Sequence, residues 1–125
     1  MQENQITGKI IGAAIEVHRI LGPGLIESVY EQALCHEFSL RGIEFCRQQN
    51  VPIIFKGVKL NSELRLDLLV ENKIIVEVKA KEQLSPIDKP KLLTYLRLME
   101  KRLGLILNFH VELMRKGIFR IVNSL

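Results

Sequence analysis

The chain has 125 residues, 47% of them hydrophobic and 26% charged, which suits one domain around one core and excludes a disordered polypeptide. No apolar run approaches the ~20 residues of a membrane-spanning helix, and the start MQENQITGK lacks the continuous apolar stretch of a secretory leader, so the sequence points to a cytoplasmic protein with no membrane partner. The net charge of +4 is uneven, with three Lys or Arg against six acids in residues 1–45 and fifteen against eight in residues 46–125, an excess that suits an anionic partner such as nucleic acid.

In chain order, Ile6, Ile10, Ala14, Val17 and Leu21 recur at helical spacing and predict a first amphipathic helix, which Gly22-Pro23-Gly24 ends. A second helix is expected from Leu25 or Ile26 to Leu40, with Ile26, Tyr30, Ala33, Leu34 and Phe38 inward and Gly42 as a left-handed C-terminal cap. Cys35 and Cys46 make neither a metal spacing nor a disulfide framework, and both read as ordinary buried or half-buried thiols. Val51 to Phe55 is rich in β formers, Lys56-Gly57 reads as a turn, and Lys59 to Leu64 reads as a short strand or an irregular edge. Leu64–Val70 and Ile74–Ala80 are the strongest strands. Ser85-Pro86 opens a third helix, capped by the serine, with Leu92, Leu93, Leu96 and Met99 as its apolar stripe. Leu105–Phe109 and Ile118–Val122 are strands, separated by a turn or short helix near Val111–Lys116. The order predicts a single α/β (mixed α+β) domain over 1–125, with helices packed on a central mixed sheet.

The stretch LDLLVENKIIVEVK, residues 66–79, places three charged residues inside two apolar strands. A three-residue turn at Glu71-Asn72-Lys73 pairs Val70 with Ile74 and sets Asp67 opposite Glu77, with Lys79 on the same face. Two carboxylates that close repel each other unless one is protonated or a cation lies between them, and Mg²⁺ or Mn²⁺ is the natural hard-oxygen partner. A two-residue turn would instead pair Asp67 with Val76 and separate the carboxylates. Register therefore separates a site from a coincidence. The plain alternative is a pair of wet carboxylates at strand ends, one of them paired with Lys79.

Gly24-Leu25-Ile26-Glu27-Ser28-Val29-Tyr30 has the form G-x-x-E-x-x-Y. With Glu16-Val17-His18, Leu21-Gly22-Pro23-Gly24, Tyr30-Glu31-Gln32-Ala33-Leu34, Arg47-Gln48, Lys56-Gly57, Asp67-Leu68-Leu69-Val70, Glu77-Val78-Lys79, Leu92-Leu93-Thr94-Tyr95-Leu96, Gly104-Leu105, Asn108-Phe109, Gly117-Ile118 and Arg120-Ile121, it runs nearly the whole chain. The sequence resembles the GxxExxY family, placed in the PD-(D/E)xK nuclease superfamily. The resemblance implies a restriction-endonuclease-like fold and a metal site made by Glu27, Asp67, Glu77 and Lys79, with Gln48, on the strand after the second helix, lining the cleft. Two positions depart from the superfamily pattern. Leu66 stands where proline precedes the aspartate, and Lys91 replaces glutamine in the Q-x-x-x-Y helix motif that ends here at Tyr95. A lysine there can contact a phosphate but loses a glutamine-specific role.

On that resemblance the expected chemistry is Mg²⁺-dependent (or Mn²⁺-dependent) hydrolysis of phosphodiester bonds, in DNA more than RNA. Asp67, Glu77 and the backbone carbonyl of Val78 would hold the ion, and Glu27 would complete the shell directly or through water. Lys79 would orient the attacking water and offset charge in the transition state. Glu31 reads as a supporting or solvated residue, Tyr30 as core, His18 as structural, and Tyr95 as either packing or a cleft contact. Lys89, Lys91, Arg97, Lys101 and Arg102 make a basic helix, solvated or phosphate-facing. The rival function is an adaptor that keeps the fold and binds nucleic acid or protein without turnover. A domain of this size has little surface for reading a sequence, so a homodimer or a partner protein is expected.

Overall fold

Apolar side chains at Ile6, Ile10, Ala13, Ala14 and Val17, all 5% exposed or less, wind Glu3–Leu21 into α1. The computed structural model describes residues 2–124; Met1 and Leu125, the ends of the expected domain, lie outside the described residues. The second helix, α2, spans Glu27–Leu40. It ends as expected, with Gly42 at φ 70° and the amides of Gly42 and Ile43 donating to the carbonyls of Ser39 and Phe38, a Schellman closure that left-handed glycine permits. Ile26, expected inward, is 68% exposed. It sits four residues before Tyr30, but in extended backbone just before the helix starts, so helical spacing does not apply to it. Leu21 is also exposed. The inward position of that last turn belongs to His18, whose Nε2 lies 2.7 Å from the carbonyl oxygen of Val111, the structural role expected of it.

The strands follow as β1 (Phe45–Asn50), β2 (Ile54–Phe55), β3 (Val58–Lys59), β4 (Arg65–Val70) and β5 (Ile74–Lys79). Then come α3 (Asp88–Met99), β6 (Leu103–Asn108), a 3₁₀ turn at Met114–Gly117 and β7 (Ile118–Val122). Five strands form the main sheet in the order β1-β4-β5-β6-β7. Only β5 and β6 run parallel in it, because α3 carries the chain back between them. Helices α1 and α2 cover one face, with Tyr30, Leu34, Phe38, Val76, Val78 and Leu107 in the core between. Helix α3 covers the other, with Leu92, Tyr95 and Leu96 against Leu69, Ile75 and Ile106. Burial on both faces explains why β5 and β6 read as nearly continuous apolar runs.

Two expected elements need correction. The β-rich run Val51–Phe55 is not the strand of the main sheet; β1 is FCRQQN, largely exposed, an edge strand whose polar side chains leave no apolar alternation to read. Only Ile54 and Phe55 of that run are strand, paired with β3 in a separate two-stranded hairpin. Ser85 does not cap α3. The helix starts at Asp88, with Ile87 as its cap position and no capping side chain; the Ser85 amide donates instead to Asp88 Oδ2 at 2.8 Å. Pro90 falls in the first turn, where its missing N–H has no helical acceptor in any case.

Tyr30 stacks on Phe109 with ring centroids 4.6 Å apart and 7° between planes. Its hydroxyl donates to the Gly22 carbonyl at 2.5 Å and accepts from the Leu25 amide at 3.1 Å, so it is the satisfied core tyrosine that was expected.

Candidate active site

The β4–β5 turn has three residues. Val70 pairs with Ile74, Leu69 with Ile75 and Leu68 with Val76, and Glu71 and Asn72 take left-handed backbone (φ 51° and 55°) to close it. That register sets Asp67 opposite Glu77, and there the ladder stops. The side chain of Asp67 takes over, its Oδ2 accepting the Val78 amide at 2.8 Å; a short carboxylate competing with backbone is the usual way a strand pairing is broken. Gln48, which the β1 register sets across from Asp67, makes no pair with it and stands at φ 54°. Leu66 joins the core under α3 and Leu68 the core under α1 and α2, although residues two apart in a regular strand share a face. The sheet is therefore prised open at Asp67 on both sides.

Glu77 lies beside that opening, 8% exposed. Its Oε1 is buried without a hydrogen-bond partner. Burial, then a hydrogen bond and repulsion from Asp67, push its pKa up to about 9, with Lys79 opposing. Glu27 is the first residue of α2, where the helix dipole favours a carboxylate. Burial nevertheless raises its pKa, Lys79 opposes, and Asp67 and Glu31 add to the rise. Glu27, Asp67, Glu77 and Lys79 thus share one electrostatic neighbourhood, drawn from a helix and two strands. Among the described residues, no three His, Cys, Asp or Glu side chains stand close enough to hold a metal ion as placed.

A recess of about 10 Å³, the room of roughly one water-sized sphere, is lined by Glu77, Lys79, Asp88, Lys91, Leu92, Tyr95 and Ile106. Tyr95 is 4% exposed and packs in the α3 core, the packing role expected of it, while its ring edges this recess. The ammonium of Lys91 lies 5.7 Å over the Tyr95 ring. Burial works against its charge, but Tyr95, Glu77 and Asp88 outweigh that and raise its pKa.

The profile of the PD-(D/E)XK nuclease superfamily matches residues 4–121. The chain belongs to the PD-(D/E)XK nuclease superfamily. No curated protein and no solved structure matches it. The mixed sheet with helices on both faces is the fold this superfamily implies, and no described helix is long and apolar enough to cross a membrane.

Within that PD-(D/E)XK frame, the residues present fit a hard divalent cation of the kind such nucleases generally use. A buried carboxylate oxygen lacks a partner, a second carboxylate stands against it, and a third is partly desolvated nearby, which is the donor chemistry such a cation takes. Support comes from residues to which the sequence assigned little. Glu31 is 6% exposed and accepts from Arg47 Nε at 2.7 Å and Gln48 Nε2 at 3.1 Å. Gln48 is therefore tied to Glu31. Asp88, 7% exposed, pairs with Lys81 Nζ at 2.6 Å. Burial works against its charged form, but Lys81 and the Ser85 amide hold its pKa below the ordinary carboxylate value. Asp88 went unread because it looked like one more acid at a helix start.

Proposed function

We propose that the protein is a metal-dependent nuclease of the GxxExxY group, hydrolysing phosphodiester bonds in DNA in preference to RNA. The observation that carries this reading is the buried carboxyl of Glu77, one oxygen without a partner, held against Asp67 where the sheet opens. Asp67 and Glu77, with the Val78 carbonyl and Glu27, would hold Mg²⁺ or Mn²⁺, which when bound supplies charge neutralisation at the scissile phosphate and acidifies a water. Asp67 is fixed for this by the Val78 amide. Lys79 lies on the same strand two residues past Glu77 and is placed to orient the attacking water and to stabilise developing charge on the phosphate oxygens. Lys91, with its charge favoured by its neighbours, is a phosphate contact in the position where relatives use glutamine. Glu31 keeps Arg47 and Gln48 in place at the edge of the opening. Both cysteines are free thiols, Cys35 buried as expected and Cys46 exposed on the edge strand β1 rather than half-buried, which fits the reducing cytoplasm as its setting.

The test is cleavage of a panel of DNA and RNA forms with Mg²⁺ or Mn²⁺, comparing wild type with Asp67→Ala and Lys79→Ala. Each substitution is expected to lower the rate by about 10²-fold or more. Equal rates in all three proteins would reject the assigned site. Tight binding with no cleavage of any substrate would assign the chain to an adaptor role instead.

A further inference from the structure

The excursion between β1 and β4 leaves the main sheet at the end where the site lies. Asn50 pairs with Arg65, and Arg65 stands two residues from Asp67, about 7 Å along the strand. Pairing continues outward, from the Val51 amide to the Leu64 carbonyl and from the Leu60 amide to the Ile53 carbonyl, both at 2.8 Å. It ends in the β2–β3 hairpin, with Ile54 opposite Lys59 and Phe55 opposite Val58. Lys56 and Gly57 both have left-handed backbone (φ 48° and 82°), the two-residue turn that fits the natural twist of a hairpin. The arm leaves its large side chains mostly uncovered: Phe55 (60% exposed) and Val58 (61%) side by side on one face, with the Lys56 ammonium 5.5 Å from the Phe55 ring centre, and Ile54 (66%) on the other face. Monomeric proteins seldom leave such a cluster uncovered without a use for it.

We propose that this arm, residues 53–60, is a duplex-binding wedge. Phe55 and Val58, which stand opposite each other and so share one face of the hairpin, enter the minor groove and part a base step, while Lys56 at the turn and Lys59 on the opposite face hold the flanking phosphates, setting the scissile strand against the opening at Asp67. The charge of the arm selects the occupant. Residues 53–60 contain two lysines and no acid, so a second copy would bring like charge against like, whereas a polyphosphate backbone is complementary. Apolar wedges flanked by basic residues are the chemistry that unstacks and bends a duplex. The proposal rests on the nuclease reading for the nature of its partner.

Fluorescence anisotropy with a short duplex DNA in EDTA, where metal-dependent cleavage is off, tests it. Phe55→Ser and Val58→Ser combined are expected to weaken binding at least about tenfold, and Ile54→Ser, on the other face, less. Lys56→Gln with Lys59→Gln is expected to reduce the slope of log affinity against log salt by roughly 1.8. A 2-aminopurine in the duplex should brighten with wild type and not with the serine variant. All side chains changed are exposed, so coincident thermal melts are expected and would confirm intact folding. Unchanged affinity and salt slope in a protein that still cleaves DNA with Mg²⁺ would overturn the wedge and leave the nuclease reading standing. Binding that depends on the arm in a protein that cleaves nothing would keep the wedge and reject the nuclease. A light-scattering mass that halves in the serine variant, with DNA affinity unchanged, would give the arm to a second copy and overturn the wedge.

Discussion

With its pKa pushed up to about 9, Glu77 keeps in the folded chain a proton that the unfolded chain releases near 4.5. Folding then binds a proton between those values, so the contribution of this group to stability is complete below about pH 4.5 and is lost as pH rises toward 9. The metal-free protein should lose on the order of 3 kcal/mol from this group by pH 7. Glu77→Gln should remove that slope and raise the melting temperature at pH 8, which thermal denaturation across pH 5–9 would check. A cation bound by Glu77 needs the carboxylate, so metal uptake at pH 7–8 should release close to one proton per site. Calorimetry in buffers of different ionisation enthalpy measures that number, and zero would remove Glu77 from the ligand set. The pair Asp67–Glu77 was legible in the sequence because strand period and turn length fix which side chains meet. Glu31 and Asp88 were not, because burial of a lone acid depends on partners, Arg47 and Lys81, that arrive from other elements.

At the scale of elements, continuous apolar runs carried the reading and irregular edges escaped it. Strands β4 and β5 fall within one residue of where their apolar runs predict, and β7 covers its predicted span. The edge strand β1 lacks such a run. The break between Leu66 and Leu68, where the sheet opens, leaves no trace in hydropathy because both are leucine and both are fully buried. A different constraint acts at the junction of β6 and the 3₁₀ turn. A Cβ added to Gly117 would lie 2.0 Å from the Asn108 carbonyl oxygen, and Asn108 ties the end of β6 to Lys81, accepting from its amide at 3.1 Å and donating to its carbonyl at 2.8 Å. Gly117→Ala should therefore cost about 1–3 kcal/mol or more, measured by urea unfolding. It should also lower cleavage beyond the loss of folded protein, since the chain between Lys79 and α3 is held through Asn108. Gly8→Ala, which meets nothing within 4 Å, is the matched control and should melt no lower than wild type.

For the molecule as a whole, the two apolar layers set the shape and the charge sets the company. The acidic first third supplies α1 and α2, while the basic remainder supplies the sheet and α3. Contact through phosphates predicts that DNA affinity falls steeply as salt rises; a titration from low to physiological salt with no change would argue that the basic excess is only solvated surface. Small size predicts that the functional species on DNA contains two copies or a second protein, and a monomeric mass on its target by light scattering would contradict this.

The tyrosine stacked on Phe109 also gives the motif G-x-x-E-x-x-Y a mechanical sense. Its hydroxyl grips the chain at Gly22 and Leu25, the last bends before the helix that begins with Glu27. The ring anchors, the glycines steer, and the glutamate between them starts the helix within the field of Lys79 and Asp67. Tyr30→Phe would keep the stacked ring and release that latch. Faster amide hydrogen exchange at Leu25, with the melting temperature nearly kept, would mark a hinge freed at the root of α2.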